Sequence, residues 1–168
     1  MLDRAPRSSI AVVLALHAVA CAVVLSAPGL RAPGYMSALG AGFVLLFTGA
    51  PLGFCGSAPK TLGGALARVC RRGALLFALA LLPSLLWMLA EPVCAPGRAA
   101  LFWALGPGFS ALFSVLVGVG VRGLVARRTG LGVALLLGLF AASVAWHLGR
   151  LYLSPSVFFF HPVVGYLA

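Results

Sequence analysis

From Ser9 to Leu25 the chain presents one side chain able to carry charge, His17. Apolar stretches of the same kind recur at Tyr35–Phe54, Gly73–Ala90, Ala99–Val121 and Leu131–Leu148. Nothing else in the sequence constrains the fold as much. A helix rises about 1.5 Å per residue, so the 17 residues of the first stretch cover about 25 Å. That suffices for a hydrocarbon core of roughly 30 Å once flanking residues contribute. Only 8% of the residues are charged and 62% are hydrophobic, with a mean hydropathy of +1.14, whereas soluble domains carry roughly 25% charged residues. A surface so poor in ionic groups has to face lipid. The expected fold is therefore all-α, a single integral membrane bundle of five transmembrane helices.

The first stretch resembles a signal peptide in its basic start and apolar middle. Its length, and the second apolar stretch directly after it, predict an uncleaved span. The gaps carry the punctuation. Ala27–Gly34 and Glu91–Arg98 are short turns rich in Pro and Gly, while Ser57–Arg72 and Arg122–Gly130 are basic. Within the first basic connector, Leu62, Leu66 and Val69 fall on one helical side and Gly64, Arg68 and Arg71 on another, the pattern of a short interfacial helix. Gly63-Gly64 weakens that helix, so a solvated loop is the competing expectation. The tail Leu151–Ala168 is apolar and aromatic. From Pro155 onward it has 14 residues, about 21 Å as a helix and interrupted by Pro162. Too short to cross, it reads as an interfacial or re-entrant segment. Nothing polar closes it, which leaves open that this is the membrane module of a longer protein.

Charge sets the expected orientation. With the amino terminus inside, the inner gaps hold Arg4, Arg7, Lys60, Arg68, Arg71, Arg72, Arg122, Arg127 and Arg128, and the outer gaps hold Arg31, Arg98 and Arg150. Short loops richer in Lys and Arg stay in the cytoplasm, so nine against three predicts N-in and C-out. Trp87, Trp103, Trp146, Tyr35 and Tyr152 then gather toward the outer interface. The net charge of +10 would suit nucleic acid, but arginines confined to gaps between apolar runs speak for lipid headgroups instead. Lys60, Arg68, Arg71, Arg72, Arg122, Arg127 and Arg128 are the expected headgroup contacts, in a bacterial plasma (inner) membrane.

Asp3 and Glu91 are the only carboxylates. Carboxylate dyads, carboxylate-held Mg or Ca sites and Asp-anchored triads are thereby excluded. The four cysteines, Cys21, Cys55, Cys70 and Cys94, have no CxxC spacing and fall at different depths, so neither a zinc site nor a disulfide framework is expected. No catalytic set and no cofactor is called for. His17 lies about 12 Å into the first span, close to mid-membrane, with Cys21 at i+4 on the same face. The pair reads either as a ligand or proton-carrying site, or as a neutral histidine hydrogen-bonded to a neighbouring helix beside a cysteine acting as a small hydrophobe. His147 sits near the outer side, at a depth unlike that of His17 but compatible with His161 in the tail. Pro83 and the triplet Gly106-Pro107-Gly108 fall near mid-membrane, where a helix break at Pro107 would expose backbone along a substrate path.

Small residues fall four apart at Ala38 and Gly42, then Gly49 and Gly53 in the second span, and at Gly106, Ser110, Ser114 and Gly118 in the fourth; they read either as faces that allow close helix approach or as the ordinary glycine content of membrane helices. These faces favour a non-enzymatic subunit or membrane anchor of a larger assembly, with other membrane subunits or further copies of itself as partners. The alternatives are a small permease or channel component working through the proline breaks, and a haem-binding redox subunit using the histidines.

Overall fold

The computed structural model describes residues 7–27, 29–31, 33–56, 58–88, 95–125, 128–153, 159–161 and 165–167. Its helices are α1 (Arg7–Ser26), α2 (Tyr35–Phe54), α3 (Leu62–Met88), α4 (Pro96–Trp103), α5 (Phe109–Val125) and α6 (Thr129–Leu153). A π-helical turn, Ala104–Gly108, joins α4 to α5 as one rod. Five helices are thus long and apolar enough to cross a membrane, as expected of an integral membrane protein. In hydrocarbon a backbone can satisfy its polar groups only internally, and that requirement keeps runs of Ala and Leu helical through the Gly and Val residues that would weaken a helix in water.

Two boundaries correct the sequence expectation. The basic connector is neither a loop nor a separate interfacial helix: from Leu62 it is helical and continuous with the third span, Gly63-Gly64 included. The fourth span is not broken at Gly106-Pro107-Gly108. Pro107 lacks an N–H, and its ring would clash with the carbonyl four residues back. A π turn opens the spiral by one residue and lets the rod continue past it. Pro83 likewise sits inside an uninterrupted α3. In the tail, β1 (Phe159–His161) pairs antiparallel with β2 (Gly165–Leu167), Phe160 opposite Tyr166.

The centre of the bundle is the contact between α2 and α5, where Gly49 lies on Ser114, Gly53 on the Val115 carbonyl, and Gly118 on the Ala50 carbonyl. A methyl group added at any of the three would overlap these atoms, so the two backbones touch where side chains ordinarily stand. The Gly49 and Gly53 pair on span two and the Ser114 and Gly118 pair on span four are spent on each other within one chain. Around this contact, α1 and α3 close the other side, with Leu45, Leu52, Leu76, Ala111 and Val115 fully buried. Helix α6 stands outside, resting Gly132 on the Phe54 ring and Phe140 on Phe47. Only 6% of its span is buried, against 56% for α2.

Gly118→Ala is expected to lower the stability of the solubilised protein by about 1–3 kcal/mol through overpacking. Gly120→Ala, two residues on and with nothing within 4 Å of an added methyl, should stay within about 0.5 kcal/mol of wild type. Denaturant titrations followed by circular dichroism in detergent distinguish the two.

Candidate functional site

The buried polar groups concentrate where α1, α2 and α3 meet. His17 is fully buried. Its Nδ1 lies 2.8 Å from Thr48 Oγ1 on α2 and its Nε2 lies 3.0 Å from the Leu76 carbonyl oxygen on α3. A carbonyl only accepts, so Nε2 carries the hydrogen and donates it to Leu76. In the neutral ring Nδ1 is then a bare lone pair. Thr48 has one proton and two acceptors in reach, Nδ1 and the Val44 carbonyl at 2.9 Å. The Val44 oxygen already belongs to the helix ladder, so the hydroxyl donates to Nδ1. Cys21 Sγ packs 3.5 Å from Nε2.

One imidazole thereby ties three helices, and both of its nitrogens are engaged by protein groups. As placed, neither points at an open coordination position for a metal or haem iron, and the described residues contain no group of three potential ligands. His147 lies in α6 and His161 in β1, but their side chains are outside the described residues, as are Arg127, Glu91 and Cys94.

A second tie lies nearer the other end of α2, where Trp103 Nε1–H donates to Ser37 Oγ at 3.3 Å and both side chains are buried. Ser37 Oγ also accepts from the Gly34 N–H at 2.8 Å. Ser84, one position after Pro83, is buried with no hydrogen-bond partner for its hydroxyl among the described residues. Arg31 stacks its guanidinium 4.9 Å from the Trp87 ring and donates from Nε to the Ser26 carbonyl, fastening the α1–α2 turn to the end of α3.

The basic residues divide by role. Arg72 reaches from α3 to the carboxyl end of α2, donating from Nη1 to the carbonyls of Leu52 and, at 2.6 Å, Cys55. Arg122 reaches the same place from α5, with Nε 2.9 Å from the Gly56 carbonyl and the guanidinium 5.3 Å from the Phe54 ring. Gly56 has φ +103°, a conformation that side chains disfavour. Two cations thus satisfy the orphan carbonyls and the negative end of the α2 dipole. Lys60, Arg71 and Arg128 are exposed and Arg68 is half-buried. Cys55 sits between these opposing influences: burial pushes its thiol up, and the nearby Arg72 and Arg122 pull it down, with burial prevailing.

Pro107 is buried, and the π turn borders an apolar cleft of about 770 Å³ between α3 and the α4–α5 rod, with Phe77, Leu105, Phe109 and Leu112 among its walls. The sequence pointed to His17, Cys21, Pro83 and the Gly-Pro-Gly triplet, and the structure brings His17 and Cys21 together while leaving the prolines apart from them. It passed over Thr48, although a hydroxyl in mid-span two, at the depth of a lone histidine in span one, was the available signal. Comparison with protein-family models, curated proteins and solved structures yields no match to this chain.

Thr48→Val leaves Nδ1 buried without a donor and is expected to cost about 1–3 kcal/mol. In a His17→Met background the same change should cost little, and a double-mutant cycle reads the difference. Nitrogen-15 spectra should show the Nε2–H tautomer in wild type. Alkylation of Cys55 should rise with pH above the range of an ordinary thiol, and Arg122→Gln, by removing a cation that favours the thiolate, should move it higher still.

Proposed function

We propose that the protein is a non-enzymatic membrane subunit or anchor that assembles with other helices through α6. The observation that carries this reading is an unfilled small-residue face. Ala134, Gly138 and Ala142 succeed one another at four-residue spacing, all exposed, and nothing among the described residues lies within 4 Å of a methyl added at Gly138. The same spacing on α2 and α5 is filled by a facing backbone. A mid-helix glycine costs about 1 kcal/mol relative to alanine, and close approach by another backbone is what such a residue offers in return. Leu137 and Leu139 flank it at 64% and 53% exposure, apolar walls for an approaching helix. The buried polar groups support the reading from the other side: His17, Thr48, Ser37 and Trp103 are engaged within the bundle, leaving an apolar exterior and a basic end.

The setting we infer is a bacterial plasma membrane, with the basic end of the bundle in the cytoplasm and the carboxyl-terminal tail outside. Lys60, Arg68, Arg71 and Arg128 then meet the anionic leaflet, and each contributes about 1 kcal/mol of attraction near the surface.

The assembly test is Gly138→Leu. Cross-linking in native membranes through a photoreactive residue at Leu137 should trap a partner or a second copy in wild type and fail in Gly138→Leu, while the variant melts like wild type. Trapping unchanged by the substitution, or none in either protein, would sink the reading. For orientation, a membrane-impermeant thiol reagent on intact cells should modify Cys94 and spare Cys55 and Cys70; modification of Cys70 from outside reverses the bundle.

A further inference from the structure

The apolar cleft between α3 and the α4–α5 rod lies away from α6, and its chemistry is separate from the assembly face. One wall is a single helical stripe. Leu101, Leu105, Phe109 and Leu112 succeed one another at three- and four-residue spacing through α4, the π turn and α5. The stripe begins one turn after Arg98, which lies three residues before Leu101 on the same face and is exposed. From Leu101 to Leu112 the rod rises about 16 Å, close to half of a hydrocarbon core of roughly 30 Å. A cation at the mouth is therefore succeeded by an apolar trough about one leaflet deep. Phe77 and Ala74 of α3 form the opposite wall, Tyr35, Ala38 and Leu39 of α2 line it as well, and Cys70 lies at the far end.

The sequence offers a reason for the trough. Packing α3 flush against a regular rod would fill it with interdigitating side chains. Instead the extra residue of the π turn displaces the α4 stripe relative to α5, Gly73 brings α3 close onto Leu112 at the inner end, and the small Ala74 leaves the space above it open.

We propose that this cleft is a binding site for one membrane phospholipid, its phosphate held by Arg98 and one acyl chain lying along the stripe toward Cys70. The complementarity is of two kinds. A guanidinium presents several donors to phosphate oxygens at the depth of the headgroups. Below it the trough offers a chain contact on three sides, where an ordinary boundary lipid has one. A partner helix crossing the membrane fits less well, because the trough runs for only about one leaflet. The site does not depend on α6 or on any assembly, so its failure and that of the subunit reading are distinguishable.

The test uses full-length protein purified in mild detergent and reconstituted into nanodiscs of phosphatidylglycerol. Native mass spectrometry after release should show one retained lipid per chain. Arg98→Gln should weaken retention about fivefold, the equivalent of roughly 1 kcal/mol of headgroup attraction. Ala74→Phe, at an exposed position whose new ring enters the trough, should abolish retention without changing the melting temperature. Site-resolved alkylation of Cys70 should be slow in phosphatidylglycerol nanodiscs, faster in short-chain detergent, and slow again in Ala74→Phe under both conditions. Retention equal in wild type and Ala74→Phe would overturn the proposal. So would a dimer lost with Ala74→Phe, which would make the trough a contact between copies.

Discussion

The backbone contact between α2 and α5 is the interaction on which the rest of the bundle depends. In water, helices associate because burial removes apolar surface from solvent; between helices already in lipid that drive is absent, and packing and polar contacts remain. Gly49, Gly53 and Gly118 convert this limitation into a contact that lipid tails cannot imitate, since no acyl chain approaches a backbone as closely as another backbone does. The position of this contact also sets the neighbouring ones. With α2 held against α5, the carboxyl end of α2 lies within reach of Arg122 from α5 and of Arg72 from α3, and the carbonyls there gain charged donors.

Polar groups do the remaining joining, and each joint links different helices. His17 ties α1 to α2 and α3, Trp103 and Ser37 tie α4 to the start of α2, and Arg31 with Trp87 ties the first turn to the end of α3. A polar atom in hydrocarbon has few alternative partners, so each joint specifies register more than it adds stability. Helix α6 rests on apolar contacts, Gly132 on Phe54, Leu136 against the Phe54 cluster, and Phe140 on Phe47, which another apolar surface can equal.

Much of this was legible in the sequence, and the illegible remainder has a common physical cause. Four-residue spacing announced that Gly49, Gly53, Ser114 and Gly118 form faces for close approach, because spacing is a property of one helix. It said nothing about which face meets which, so faces that satisfy each other inside one chain looked like surfaces awaiting a partner. The arginine count divided the ends of the spans for the same local reason. It did not reveal that Arg72 turns from its own helix to the carbonyls of another, a matter of distance between elements. Pro107 was visible as a disruption, but whether a disruption becomes a break or a π turn depends on neighbours. Here Phe77 and Trp103 pack edge to face at 6.3 Å beside the turn, and keeping the rod straight preserves that contact.

The same reasoning bears on where activity can reside. The bonds of His17 and Arg72 resist disturbance, because breaking them moves whole helices. At His17 that means separating three helices at once, and at Arg72 uncapping a buried helix end. The exterior imposes no such cost. An apolar face at Gly138 and a trough below Arg98 can each be occupied or emptied with α1 to α5 unchanged, because neither contributes an atom to the α2–α5 contact or to the three joints. Of the spans, α6 has the smallest buried share, and with Gly138 open among the described residues it is the helix at which an approaching neighbour would disturb the others least.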